Sequence, residues 1–220
     1  MTAPADAETV AALERRHDPA RVVALSDGVF AIIITLLVLD VHVPELSAGQ
    51  SLPAALAEVW PSFTAFAISF IVAGMYWVGH RDVFALIRRT DRGLVWLNLL
   101  YLLPACLLPF ASALLGRYDR EPVAVRVYGL VLVAVACMRL AMWLYATSHP
   151  HLLWRRPGPR VRRIGALIAA LPGIVYLAAL LLAASAPAVS MAIYGIMPLL
   201  YFLGVTLDGR RRRQDLADFT

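Results

Sequence analysis

Ser26 and Asp27 stand side by side near one end of the apolar run RVVALSDGVFAIIITLLVLDVHVP, which extends from Arg21 to Pro44. A carboxylate there can accept hydrogen bonds from neighbouring helices, bind a cation or carry a proton. Holding it in a stretch long enough to cross a bilayer costs roughly 2.5–3.5 kcal/mol on insertion scales unless it is paired or hydrated. The pair therefore marks a helix that does more than anchor the chain. Residue types alone leave structural hydrogen bonding and proton transport both open.

The other reactive side chains are scattered. His42 and His80 fall at opposite ends of the membrane, and His149 and His151 are interfacial with no carboxylate at ligand spacing. Neither HExxH nor GxSxG occurs, so no nucleophile, base or metal set stands in register. No enzyme and no cofactor are expected. Cys106 and Cys137 lie in apolar runs without CxxC spacing and read as small buried hydrophobes. Arg139, beside Cys137 and Met138 in a later apolar run, is a second costly charge. Two readings stand for it: pairing with Asp27 at similar depth, or snorkelling to the nearer interface. Asp40, His42 and Glu45 at the far end of the first run form either an external vestibule or an ordinary hydrated interface.

Helices must position these groups. The 220-residue chain is 60% hydrophobic and 16% charged, with a mean hydropathy of +0.71, too apolar for one water-soluble core. It reads as an all-α polytopic membrane protein with six transmembrane helices, near 22–43, 59–80, 94–115, 122–146, 164–184 and 188–206. A short loop helix is expected from Ser51. The N-terminus lacks the basic region, short apolar core and cleavage site of a signal peptide, so the first run is expected to be retained as a span. Every basic residue counted with the lysines is an arginine, and the +5 net charge sits beside the spans: at 15, 16 and 21, at 81–92, at 155–163 and at 210–213. That is positive-inside patterning with both termini cytoplasmic, aided by anionic lipid, and not a nucleic-acid footprint. The organisation expected is a cytoplasmic N-terminal tail over 1–20, a transmembrane domain over 21–206 and an Arg-rich cytoplasmic tail over 207–220.

Advancing the first helix by about 100° per residue puts Arg21, Leu25, Gly28, Ile32, Leu36, Leu39 and Val43 within roughly 40° of one line. Thr35 flanks that line at about 60°, while Asp27 and Ser26 point about 140° and 120° away from Ile32, toward other helices of the same chain. Periodicity alone leaves the stripe as lipid-facing or packing surface. The segment RVVALSDGVFAIIITLLVLD, with YWVGHRDVF at 76–84 and WLNLLYLLPACLLPF at 96–110, resembles the prokaryotic branch of the endosomal–lysosomal potassium channels, transmembrane protein 175. That family's signature is Arg, three variable residues and Phe-Ser-Asp; Arg21, Ser26 and Asp27 match, and Leu25 stands where the family has Phe.

The resemblance implies a potassium-permeable cation channel in a cell membrane, with the first helix of each subunit lining the pore. It implies a homotetramer, since one pore-lining helix cannot enclose an axis alone. The TVGYG filter of other potassium channels is absent from the family and from this sequence. Carried over by motif, the constriction falls on Ile32, with further layers at Leu36 and Leu39 and Thr35 flanking. Arg21, Ser26, Asp27, His80 and Asn98 are implied as a hydrogen-bonded network for assembly and gating, or alternatively for direct ion binding. Monovalent cations, foremost potassium, would be the permeant species. A secondary transporter for a small cation or solute is the alternative, though the paired repeats usual in transporters are not found.

Overall fold

Proline sets most of the helix starts. The computed structural model of the chain describes residues 18–119 and 121–217, with backbone alone at 202 and 204–217. The helices are α1 (Ala20–Leu36), α2 (Leu52–Glu58), α3 (Trp60–Phe84), α4 (Arg92–Ala105), α5 (Leu108–Arg117), α6 (Pro122–Ser148), α7 (Pro159–Leu182) and α8 (Pro187–Ala217). A proline occupies one of the first two positions of α2, α3, α5, α6 and α7, where its missing N–H leaves no bond unmade. α4 is capped differently: the Asp91 carboxylate accepts the Leu94 amide at 2.7 Å.

The all-helical architecture of apolar spans expected from hydropathy is present. Five helical stretches are long and apolar enough to cross a membrane: Ala20–Asp40, Trp60–Phe84, Arg92–Arg117, Pro122–Ser148 and Pro159–Leu182. The sixth apolar stretch, Pro187–Tyr201, opens α8. α2 is the short loop helix expected after Ser51. Several helices overrun their apolar windows by a turn, because terminal arginines such as Arg81 and Arg160 prolong a helix while their charged ends reach water. The backbone of α8 likewise continues through Ala217, so most of the segment expected as a separate tail from 207 is an extension of the last helix. Residues 1–17 of the expected N-terminal tail lie outside the described residues.

The third span is broken. The α4 ladder ends at Ala105, Cys106 and Leu107 make a single turn, and α5 starts again at Leu108. Pro104 and Pro109 flank the break; Pro109 has no N–H to give the Ala105 carbonyl, so the ladder cannot run through. Cys106 and Cys137 are both exposed, contrary to the expectation of buried thiols. Aliphatic residues cover every side of these spans, so an apolar neighbourhood in sequence does not show which side faces inward.

At the arginine-rich end, the 85–91 and 149–158 connections clasp each other. Ile87 and Leu153 form an isolated antiparallel bridge, with Arg88 N–H donating to Leu152 O at 2.7 Å and Trp154 N–H to Leu86 O at 3.1 Å. Arg88 lies over the Trp154 ring at 5.8 Å. Tyr145 of α6 donates to Asp91 at 2.9 Å and ties the same corner to the α4 cap.

Candidate functional site: the free face of the first helix

α1 is attached by one narrow stripe. Ser26, Phe30, Ile33 and Leu37 recur at steps of four, three and four and are all buried against α3 and α4. Among the described residues the opposite face is left bare: Arg21, Leu25, Gly28, Thr35 and Val43 are exposed, and Ile32, Leu36 and Leu39 are 59%, 42% and 67% exposed. The stripe drawn by angle is thus uncovered, but the span is shorter than the 22–43 expected: α1 ends at Leu36, a 3-10 turn over Leu37–Asp40 carries Leu39, and Val43 lies in non-helical chain beyond it. α7 is buried to the same low degree as α1, but beyond its arginine-bearing first turn its large exposed residues, such as Leu167, Leu171, Ile174 and Leu181, are aliphatic and suit lipid. The free face of α1 instead mixes aliphatic side chains with an arginine, a glycine and a threonine. The Thr35 hydroxyl donates to Ala31 O and Ile32 O at 3.0 and 2.9 Å, so its oxygen lone pairs are what remain for an outside partner.

The five residues grouped by motif separate into three sets. Ser26, Asn98 and His80 are buried and joined: His80 Nε2 donates to Asn98 Oδ1 at 2.8 Å, Asn98 Nδ2 donates to Ser26 Oγ at 3.1 Å, and Ser26 Oγ donates to Val22 O at 2.9 Å. The His80 ring lies between Phe84 and Tyr101, at centroid separations of 4.5 and 5.5 Å. Its Nδ1 has no partner, which fits a neutral ring with its proton on Nε2. Tyr101 donates to Tyr76 O at 2.8 Å, and Tyr76 donates to Leu132 O at 2.7 Å, so polar contacts continue from α1 through α4 and α3 to α6.

Asp27 does not belong to that buried set. It is exposed and accepts Trp77 Nε1–H at 2.8 Å, whereas the expectation turned its carboxylate inward against other helices. The reason is the 100° step: Ser26 falls in line with Phe30 and Ile33, and Asp27 is carried to the edge of the contact, where only the long Trp77 side chain reaches it. Arg21 is exposed and joins neither set.

Arg139 follows neither reading offered for it. It is buried, donates through Nη2 to the Tyr201 hydroxyl at 3.3 Å and lies over that ring at 5.5 Å. Asp40 and His42 do share an outer cavity of about 430 Å³, with Ser62, Ala113 and Arg117; Glu45 is not part of its lining. Among the described residues no group of three His, Cys, Asp or Glu side chains converges for a metal.

Trp77, Tyr76, Tyr101 and Phe30 were not distinguishable in the sequence from ordinary apolar packing. The available signal was spacing: Trp77 precedes His80 by three positions and Tyr101 follows Asn98 by three, so each aromatic shares a helix face with a polar residue of the motif.

Comparison with known proteins bears on this arrangement. The family described as endosomal/lysosomal potassium channel TMEM175 matches residues 21–109, the stretch holding α1, α3, α4 and the start of α5. A Streptomyces collinus protein named as a potassium channel is 39% identical over 189 residues, 84% of this chain and 92% of its own length. The cattle protein named endosomal/lysosomal proton channel TMEM175 is 34% identical over 145 residues, with 30% of its length covered. Among solved structures, the Chamaesiphon minutus protein described as a lysosomal potassium-selective channel TMEM175 homolog superposes with a TM-score of 0.75 at 31% identity, covering 84% of this chain and 96% of that one. A variant of the potassium channel MtTMEM175 shares the fold at a TM-score of 0.59. These relatives are channels and not enzymes.

Proposed function

This chain belongs to the TMEM175 family of channel proteins, and from that premise we infer that it is a potassium-permeable cation channel built as a homotetramer around four copies of α1. The observation that carries this reading is the uncovered face of α1 and the 3-10 turn after it, which runs from Arg21 through Ile32 to Leu39 while one narrow stripe of the helix packs against its own chain. Four such faces around an axis enclose a path that one cannot. Ile32 forms the narrowest ring, with Leu36 and Leu39 as further apolar layers and Thr35 beside them. A narrow aliphatic ring opposes water and ions by dewetting, so its width and polarity set the barrier. Selection of potassium would then rest on ion size and hydration in that neck, as no TVGYG filter occurs in the sequence.

Ser26, Asp27, His80 and Asn98 support the pore from outside it, and Arg21 stands at its inner mouth. The buried Ser26–Asn98–His80 bonds fix the rotation of α1 about its axis, and Asp27 is left at its edge to meet a neighbouring subunit. The arginine-rich end faces the cytoplasm of the cell membrane by the positive-inside rule, with the channel domain over 21–206.

Ile32→Asn and Ile33→Asn test this directly. They lie one residue and about 100° apart, the first on the free face and the second in the core. In liposome flux assays Ile32→Asn is expected to raise cation leak and weaken discrimination among potassium, sodium and protons. Ile33→Asn, which buries an amide among apolar groups, is expected to lower folded yield instead. Unitary currents of the parent protein in planar bilayers are the companion result; flux from Ile32→Asn equal to the parent's, at equal tetramer content, would remove Ile32 from the constriction.

A further inference from the structure

α3, α6, α7 and α8 enclose a second space, far from the free face of α1. It has a volume of about 750 Å³, within the range of roughly 300–1,000 Å³ usual for ligand sites. Its wall is apolar, formed by residues such as Val83, Ile168, Leu171, Val175 and Leu200. Into it projects one charged group, Arg139, only 5% exposed. The guanidinium is permanently charged and carries five N–H bonds. Nη2 reaches the Tyr201 hydroxyl, but among the described residues Nε and Nη1 have no hydrogen-bond partner, so three N–H bonds of a buried cation are unanswered there.

Such a charge is costly unless an anion neutralises it. The chain has made room for the group: a Cβ at Gly79 would lie 2.8 Å from Arg139 Nε. Asp82 lines the same cavity, one turn nearer the end of α3, yet makes no ion pair with Arg139 among the described residues. The far wall opens toward the bilayer, since Ile168, Leu171 and Leu200 are 47%, 52% and 59% exposed.

We propose that this cavity binds an anionic phospholipid, its phosphodiester held by the Nε and Nη1 edge of Arg139 and one acyl chain lying along α7 and α8. The guanidinium edge matches phosphate oxygens two at a time. The apolar wall and its opening to the hydrocarbon favour a lipid over a soluble anion. The Asp82 carboxylate near the last turn of α3 disfavours a second negative charge and accepts hydrogen bonds from headgroup hydroxyls. Phosphatidylglycerol, with one charge and two hydroxyls, satisfies both conditions.

The test is native mass spectrometry and thermal unfolding of the full-length protein in detergent, with added phosphatidylglycerol, phosphatidylcholine or inorganic phosphate. Phosphatidylglycerol is expected to bind and stabilise at concentrations at least tenfold below phosphatidylcholine, and inorganic phosphate to have little effect. Arg139→Gln should abolish that preference, while Arg126→Gln, an exposed arginine at the opposite end of α6, should keep it. If Arg139→Gln fails to fold, Ile168→Trp decides the matter: it fills the apolar wall while retaining the charge, and should weaken phosphatidylglycerol binding. Equal binding of the two lipids by the parent protein, or a preference that survives either variant, would overturn the proposal. Stabilisation by inorganic phosphate equal to that by phosphatidylglycerol would show a soluble-anion site and overturn it as well.

Discussion

Among the described residues Asp27 has one hydrogen-bond partner, Trp77, and an ionised carboxylate offers about four acceptor positions. The remaining capacity faces outward at the edge of α1. Asp27→Asn and Trp77→Phe separate the two roles. Trp77→Phe removes only the bond within the chain and is expected to leave the tetramer intact in size-exclusion chromatography with light scattering. Asp27→Asn removes the charge itself and is expected to lower the tetramer fraction. If Trp77→Phe disrupts assembly as much as Asp27→Asn does, the carboxylate acts within the subunit and not between subunits. Asn98 gives a complementary prediction. Asn98→Leu leaves the His80 Nε2–H and the Ser26 hydroxyl facing apolar groups, so stability should fall by about 1–3 kcal/mol, read from unfolding in denaturant. The Ser-Asp pair was legible in the sequence as a marked site because its polarity contradicts its surroundings. Which member is buried was not legible, because one position is a third of a turn and the choice depends on where α3 lies.

Helix contacts set the next level, and α3 meets α5 at a glycine. A Cβ added at Gly116 would lie 2.9 Å from the Ser62 backbone, which cannot swing aside as a side chain can. Gly116→Ala should therefore push the two helices apart and destabilise by about 1–3 kcal/mol. Gly74→Ala, with nothing within 4 Å, is the control and should be neutral or slightly stabilising through helix propensity. Thermal unfolding in detergent compares them; an equal melting temperature for the two variants would show that the α3–α5 approach is not rigid. The spans were readable as elements because apolar length alone identifies them. The break at Cys106–Leu107 was foreshadowed by Pro104 and Pro109, but a kink and a full interruption follow from the same residues, and packing decides between them. The outward position of Cys106 and Cys137 could not be read at all, since their helices are apolar on every side.

At the scale of the molecule, α1 and α7 bury less of themselves within the chain than the second, third and fourth spans do. A subunit whose uncovered helix face carries an arginine and a threonine among its aliphatic residues is incomplete in a bilayer, so mass measurement in detergent is expected to give four copies; a stable monomer would remove the pore reading. The apolar spans were legible from hydropathy, whereas the uncovered face of α1 had to be told apart from lipid-facing aliphatic surface by seeing what the described residues leave bare. The clasp between the 85–91 and 149–158 connections has a consequence for how the protein is made. Its two sides, Leu86 and Trp154, are 68 positions apart, so at about 5–20 residues/s the first waits between about 3 and 14 s for the second to be synthesised. During that interval α3 and α4 rest on α1 and α5, and the 85–91 connection lacks its backbone partner. Closure of the clasp is therefore expected to be a late step of assembly, made only once α6 and the connection after it have emerged.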